Sequence, residues 1–351
     1  PPWPESPSPD GNDDVPFEAV DGMGAINGRV IDSPKGKAGE YAENAANFFV
    51  GCSNGCTYCY LRKGRGAKVL GGSRPELKKT LREYPYALDI FKNELLAHKE
   101  ELQKTGLFFS FTTDPLLPET ERLTRQAVGV CQRHGVPVKI LSKCAEGLNR
   151  FIDFAEASEG WDVSRIAVGA TLTGCDEVEP NADPNMMRVN VLARAKHHGF
   201  RTFASVEPIP PGMYERAIGI IKLSYPFVDL YKIGLQSGGK YPKREIRLIY
   251  DTITEHWEGR PEQPRIYWKD SIVNPLGIDR GELPGYLVPV NWDLFKNEKG
   301  KTGWGSRRLP IGRSKDGRRC CRYHLRANPK RPANWIYPLP GTRRRNRGTR
   351  K

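Results

Sequence analysis

Cys52, Cys56 and Cys59 stand in a C-x3-C-x2-C array inside the stretch NFFVGCSNGCTYCYLR, residues 47–62. Three thiolates so close in sequence can hold three corners of one metal centre. Iron-sulfur clusters take cysteine thiolates, and a 4Fe-4S cube held by three of them leaves its fourth iron open to a small-molecule ligand. Two other chemistries compete. A structural zinc site needs a fourth ligand, usually from a second Cys or Cys/His pair, and the next such residues, His98 and Cys131, belong to no pair. Disulfides are the other alternative, but the eight cysteines are irregularly spaced and 351 residues need no staples to build a core.

The elements that must position the array follow from the pattern of the chain. A hydrophobic fraction of 38% and 10% aromatic residues describe an ordinary globular protein of one or two domains. No apolar run approaches the length of a membrane span, and the start, PPWPESPSPDGNDD, lacks the pattern of a secretory signal. The expectation is a cytoplasmic protein with no membrane association, in a compartment reducing enough for an oxygen-sensitive cluster. Residues 1–20 read as a disordered lead, 21–290 as the catalytic domain and 291–351 as a basic extension.

From residue 47 on, apolar β-branched runs alternate with helical ones. NFFVGC reads as a strand, followed by a loop and one long helix over 74–105. Strand 107–113 precedes a helix over 119–134 with Leu123, Ala127, Val130 and Cys131 on one face. Strand 136–143 precedes helix 145–157, 166–173 precedes 185–198, 200–209 precedes 214–223, and 228–235 precedes 244–258; 265–270 reads as a seventh strand. Such alternation requires a parallel sheet covered by helices. Six to seven units suggest an α/β fold of the full or partial (β/α) barrel, TIM-like type.

In such barrels chemistry lies at the carboxyl ends of the strands, and the cysteine loop follows the first strand. Thr112, Thr113 and Asp114 follow the second strand, Lys143 and Cys144 the third, Thr171, Thr173 and Cys175 the fourth, Glu207 the fifth and Gln236 the sixth. A generic α/β domain would also gather polar loops there, so the cysteine array is what singles out this rim. Glu207 is a candidate catalytic group on it.

With Tyr58 before its third cysteine, the array resembles the signature of radical S-adenosylmethionine (SAM) enzymes. That resemblance implies a 4Fe-4S cluster on Cys52, Cys56 and Cys59, with SAM on the open iron as second cofactor. Reductive cleavage of SAM then gives a 5′-deoxyadenosyl radical that takes hydrogen from a substrate, and electrons come from a partner such as flavodoxin or ferredoxin. Residues 111–143 and FASVEPIPPG (203–212) are similar to the DNA photolyase-like branch that includes spore photoproduct lyase. This narrower resemblance covers about residues 25–275 and implies that Tyr58 covers the adenine, Thr113 and Thr171 contact SAM, and Lys143 pairs with its carboxylate. One departure bears on the reaction. Phe111 stands where spore photoproduct lyase has its hydrogen-donating cysteine, leaving Cys144 and Cys175 as candidate replacements.

Charge divides the chain. Of a net +14, residues 306–351 carry 16 Lys/Arg against one acid, so the rest is close to neutral. From Trp304 on, arginine is interleaved with Trp304, Tyr323, Trp335 and Tyr337, which suits phosphate contacts and stacking on unpaired bases. A solubilising tail is the plainer alternative. The reading that follows is a radical SAM enzyme of isomerase or lyase type, acting on DNA to modify or rearrange a thymine-derived base, as in viral DNA hypermodification. The alternatives are repair of the spore photoproduct type, modification of a peptide or small molecule, and a zinc-stabilised nucleic-acid-binding module.

Overall fold

The computed structural model describes residues 29–63, 67–258, 263–284 and 286–296. The chain divides into two units, Pro1–Lys299 and Gly300–Lys351. The N-terminal lead, the strongly basic segment from 306 on and Cys320 and Cys321 lie outside the described residues.

One eight-stranded sheet carries the first unit. Its strands are β1 (Ile31–Asp32), β2 (Ala45–Ala46), β5 (Leu107–Phe109), β6 (Val138–Ser142), β7 (Ile166–Thr171), β8 (Arg201–Ile209), β9 (Leu230–Leu235) and β10 (Arg265–Trp268), side by side in that order. All neighbours pair in parallel except β1 with β2. A separate two-stranded ladder joins β3 (Phe49–Val50) to β4 (Glu76–Leu77). Helices α1 (Ala67–Leu70), α2 (Tyr84–Ala97), α3 (Lys99–Thr105), α4 (Glu121–Arg133), α5 (Ala145–Ala157), α6 (Asn185–His197), α7 (Tyr214–Ser224), α8 (Lys243–Trp257) and α9 (Asp270–Leu276) complete the unit. None of the described helices is long and apolar enough to cross a membrane.

The near-continuous apolar strands are explained by burial of both faces. On one face Phe109, Ile140, Val168, Ala204, Ile233 and Trp268 pack with helix residues such as Leu123, Leu148, Leu192 and Ile249. The alternate residues Phe108, Ala167, Phe203, Leu230 and Tyr267 form a second core with Tyr41, Val288 and Leu294. The Phe108 and Phe203 ring centroids are 6.4 Å apart, although β6 and β7 lie between their strands, about 14 Å in a flat sheet. The sheet therefore curls towards this second face, and its polar residues come to share one space. Closure into a full barrel is not part of the described topology, in which β1 and β10 are the two edges.

Three expected elements differ. The strand read over NFFVGC (47–52) is not the first strand of the main sheet: Ala45–Ala46, just before it, pairs with β5, while Phe49–Val50 joins only the small ladder. The single helix over 74–105 is instead strand β4, a short turn and two helices meeting at His98. Pro75 disfavours helical geometry in the residue before it, whereas Pro85 sits in the first turn of α2, where its missing N–H costs nothing. The strand over 107–113 stops at Phe109 because Asn47 Oδ1 takes over the backbone: it accepts from Phe111 N at 2.8 Å and Thr112 N at 3.3 Å.

Candidate functional site

The cysteine loop leaves β3 through Gly51, whose φ of +82° is natural to glycine. A Cβ there would stand 2.3 Å from the Arg74 carbonyl oxygen. The loop is tied on one side by Gly51 N to Leu70 O (3.1 Å) and Cys52 N to Gly72 O (3.0 Å). On the other side the turn after β7 holds it through Thr57 N to Val178 O (2.9 Å), Asn181 N to Asn54 O (3.2 Å) and Asn181 Nδ2 to Ser53 O (3.0 Å). Cys56 is buried, and Cys52 and Cys59 are half-buried. Burial, helped by the nearby Asp114 carboxylate, pushes the Cys52 thiol up to about 11; burial also raises Cys56, with Lys143 opposing. Metal binding at such thiols releases protons.

Asp114 joins the loop to the sheet. Its Oδ2 accepts from Asn54 Nδ2 at 2.9 Å and Lys143 N at 2.8 Å, and its Oδ1 from Ser142 Oγ at 2.6 Å and Leu116 N at 3.1 Å. One buried carboxylate thus fixes the ends of β5 and β6 against the cysteine loop. Beside it, Thr113 Oγ1 is buried without any hydrogen-bond partner. Lys143 Nζ stands 5.8 Å from the Tyr58 ring centroid, and among the described residues it has neither a hydrogen bond nor an ion pair. Burial pulls the Lys143 ammonium down, but the charges on Cys56 and Glu179 outweigh it and hold its pKa above the ordinary lysine value.

Tyr58 is anchored by a pair that sequence reading missed. Its hydroxyl donates to Glu179 Oε1, whose other oxygen accepts from Arg188 Nη1 at 2.8 Å in an ion pair with both side chains fully buried. Arg188 also donates to Thr171 O at 2.8 Å and Asp183 O at 2.7 Å. Through this pair, β7, α6 and the cysteine loop are braced together. The only sequence signal was the placement of an acid and an arginine nine residues apart after β7.

Across the rim, Glu207 Oε2 accepts from Tyr41 OH at 2.9 Å and Lys269 Nζ at 2.5 Å. Lys269 is also 3.4 Å from Glu40, and Lys232 Nζ donates to the Glu40 and Tyr41 carbonyls at 2.5 and 3.3 Å. Burial drives Lys232 well below its ordinary value, and burial followed by the Glu207 charge drives the Tyr41 phenol well above its own. Glu40, Tyr41, Lys232 and Lys269 were absent from the expected site: the first two lie before the region in which strands and helices alternate, and the two lysines lie inside the stretches 228–235 and 265–270 read as strands.

The structure therefore gathers Cys52, Cys56, Tyr58, Thr113 and Lys143 around one space, with Thr171 buried at the adjoining end of β7. Glu207 reaches the same rim, since its charge, after burial and the Cys59 charge, helps raise the Tyr60 phenol. Cys144 and Cys175 are placed differently. Cys144 Sγ caps α5 by accepting from Gly147 N at 3.3 Å, and Cys175 is fully buried under the turn over Asp176–Val178. Burial raises both thiols, Cys144 to about 11.

Thr113 and Lys143 leave polar atoms open to a ligand. Leaving a hydroxyl such as Thr113 buried and unpaired costs about 1–3 kcal/mol, a loss that a ligand oxygen or nitrogen would recover, and the unpaired Lys143 ammonium suits a carboxylate. Among the described residues no three His, Cys, Asp or Glu side chains converge on one metal-ion position. In a cube each cysteine binds a different iron, so its ligands stand wider apart than those of a single ion.

No protein-family model matches the chain, and no curated protein matches it. Among solved structures it is similar to SuiB of Streptococcus suis bound to S-adenosylmethionine, with TM-score 0.43 and 10% identity over 63% of this chain and 45% of that chain. For SuiB without that ligand the values are 0.45 and 10% over 67% and 51%, and for SuiB bound to precursor peptide SuiA 0.45 and 10% over 66% and 50%. The chain spans about half the length of SuiB. A likeness of this degree carries no argument about function.

Proposed function

We propose that the chain is a radical SAM enzyme acting on a thymine-derived base of DNA. The observation that carries the reading is the cysteine loop clamped at the carboxyl end of a parallel sheet, directly against an unpaired buried hydroxyl and an unpaired lysine. Cys52, Cys56 and Cys59 would hold a 4Fe-4S cluster, which supplies the electron that cleaves SAM to a 5′-deoxyadenosyl radical. Lys143 pairs with the SAM carboxylate, Thr113 hydrogen-bonds to its amino-acid portion, Thr171 contacts SAM from β7, and Tyr58 screens one side of the adenine. The Arg-rich segment 306–351 supports DNA as substrate, and a flavodoxin- or ferredoxin-type donor would supply the electron.

The test is product analysis of anaerobic reactions with SAM, reductant and DNA. Formation of 5′-deoxyadenosine together with a mass change in a thymine-derived nucleoside is expected; 5′-deoxyadenosine with no DNA product under any condition would remove DNA from the reading. Phosphate contacts should lower log K with log salt by about 0.9 per duplex contact. If roughly four to eight of the basic residues touch phosphate, the slope is about −3 to −7, and deleting 306–351 should make it much shallower. An unchanged slope would make that segment a solubility device.

A further inference from the structure

Glu207 is divided in its bonding. Both of its donors, Tyr41 OH and Lys269 Nζ, go to Oε2, and Oε1 takes no hydrogen bond. The Glu207 side chain keeps 15% exposure, while that of Lys269, which holds it, keeps 1%. Oε1 is not among the buried unpaired atoms, so it is the accessible half of the group.

The sheet directs that oxygen to the site. Phe203, Ser205 and Glu207 alternate on one face of β8, and Ser205 pairs in register with Thr171. Glu207 therefore lies one pleat beyond Thr171, nearer the carboxyl-end rim. The pairing of β8 with β9 shifts register between Val206 and Ile209, the kind of irregularity that re-aims a side chain. Next to it β9 carries Gly234, where a Cβ would stand 3.1 Å from Glu207 Oε1 and 2.9 Å from Lys269 Cδ. Oε1 therefore packs against the bare backbone of Gly234, and a side chain there would crowd it.

We infer that Glu207 Oε1 is a specificity-determining acceptor for an N–H donor of the substrate, the imide N3–H of a thymine ring. This rests on the DNA-base reading above and adds the group that identifies the base. A carboxylate oxygen accepts and cannot donate, so it selects a ring edge carrying N–H against the same ring with that hydrogen replaced. Lys269 and Tyr41 set the geometry, so Glu207→Gln has a defined consequence. The amide oxygen must stay with those two donors, which turns the amide NH2 towards the substrate and puts a donor where an acceptor was.

The experiment compares equilibrium binding of the full chain, anaerobically reconstituted and with SAM present, to single-stranded oligothymidylate and to the same strand with every thymine N3-methylated. Phosphate contacts are the same for both probes, so their affinity ratio isolates the imide. Wild type should prefer the unmethylated strand by about tenfold to a hundredfold, the range of one hydrogen bond to a charged group. Glu207→Gln, and independently Gly234→Ala, which crowds Oε1, should bring the ratio close to one. A wild-type ratio near one overturns the inference, as does a preference that survives in whichever of the two variants folds. SAM cleavage without DNA, read on the same wild-type preparation, reports separately on the radical reading: its absence would sink that reading and leave the binding ratio as measured.

Discussion

At the β5–β6 side of the rim, Thr113 Oγ1 is buried without a partner, and Lys143 Nζ lies over the Tyr58 ring with no hydrogen bond or ion pair among the described residues. At the β8–β10 side, Lys269 has Glu207, Glu40 and the Lys37 carbonyl, and Lys232 has two carbonyls. Unpaired buried polar groups are costly, so the first region is built to be completed by a ligand. The second has both of its lysines engaged and leaves Glu207 Oε1 without a donor. The cysteine loop belongs with the first region, fixed along its backbone, with the Cys52 and Cys56 pKa values raised by burial, so that metal binding there would release protons.

The comparison breaks most visibly at the thiols. Cys59→Ala removes one of three protein ligands and should abolish both bound iron and 5′-deoxyadenosine formation. Cys131→Ala, in the apolar face of α4, should leave both near wild type. Equal loss in the two variants, read by iron and sulfide analysis, would contradict the assignment.

Next in size is the brace. Arg188→Met leaves the buried Glu179 carboxylate without its cation, with only the Tyr58 and Thr173 hydroxyls donating to it, which costs about 3–5 kcal/mol; urea denaturation should show that drop. A loss under about 1 kcal/mol, as for an exposed pair, would mean the brace is not a structural element.

Lys232 gives a pH signature to the second region. Its folded pKa lies well below the unfolded value near 10.4, so between the two the unfolded chain binds more protons. Stability should therefore rise with pH between the folded value and about 10, by up to about 1.4 kcal/mol per unit, and be lost as pH falls to the folded value. Lys139, also lowered by burial, adds in the same direction. Lys232→Met should flatten the slope; an unchanged slope would assign it elsewhere.

The smallest effect sharpens the contrast best. Thr113→Val removes an unpaired hydroxyl at nearly constant shape, so the ligand-free protein should gain up to about 1 kcal/mol while SAM binding weakens about tenfold. Ser142→Ala removes a hydroxyl bonded to Asp114 and should lose about 1–3 kcal/mol. Calorimetry of both, with and without SAM, separates a site awaiting a ligand from one already satisfied.

Much of the parallel sheet was legible because its strands are buried on both faces and read as continuous apolar runs between amphipathic helices. The order of rim residues followed from strand ends alone. What stayed hidden was long-range polar bonding. Asn47 ends β5 from across the loop, Glu179 and Arg188 fix Tyr58 from the turn after β7 and from α6, and Glu40 and Tyr41 enter the second face from a stretch with no period of its own. Such partners are set by three-dimensional register, which neither spacing nor propensity encodes. The same holds for Cys144, whose strand-end position said nothing of its use as a helix cap.

The central claim is that the cysteine loop and its two unpaired neighbours bind a cluster and SAM together. Electron paramagnetic resonance of the anaerobically reconstituted, reduced protein, with iron and sulfide counted on the same sample, tests it most directly. The account predicts about four irons and four sulfides per chain, a reduced-cluster signal that changes when SAM is added, and loss of that change in Lys143→Met with the iron count retained. Stoichiometric zinc without sulfide, or a cluster signal indifferent to SAM, would contradict it.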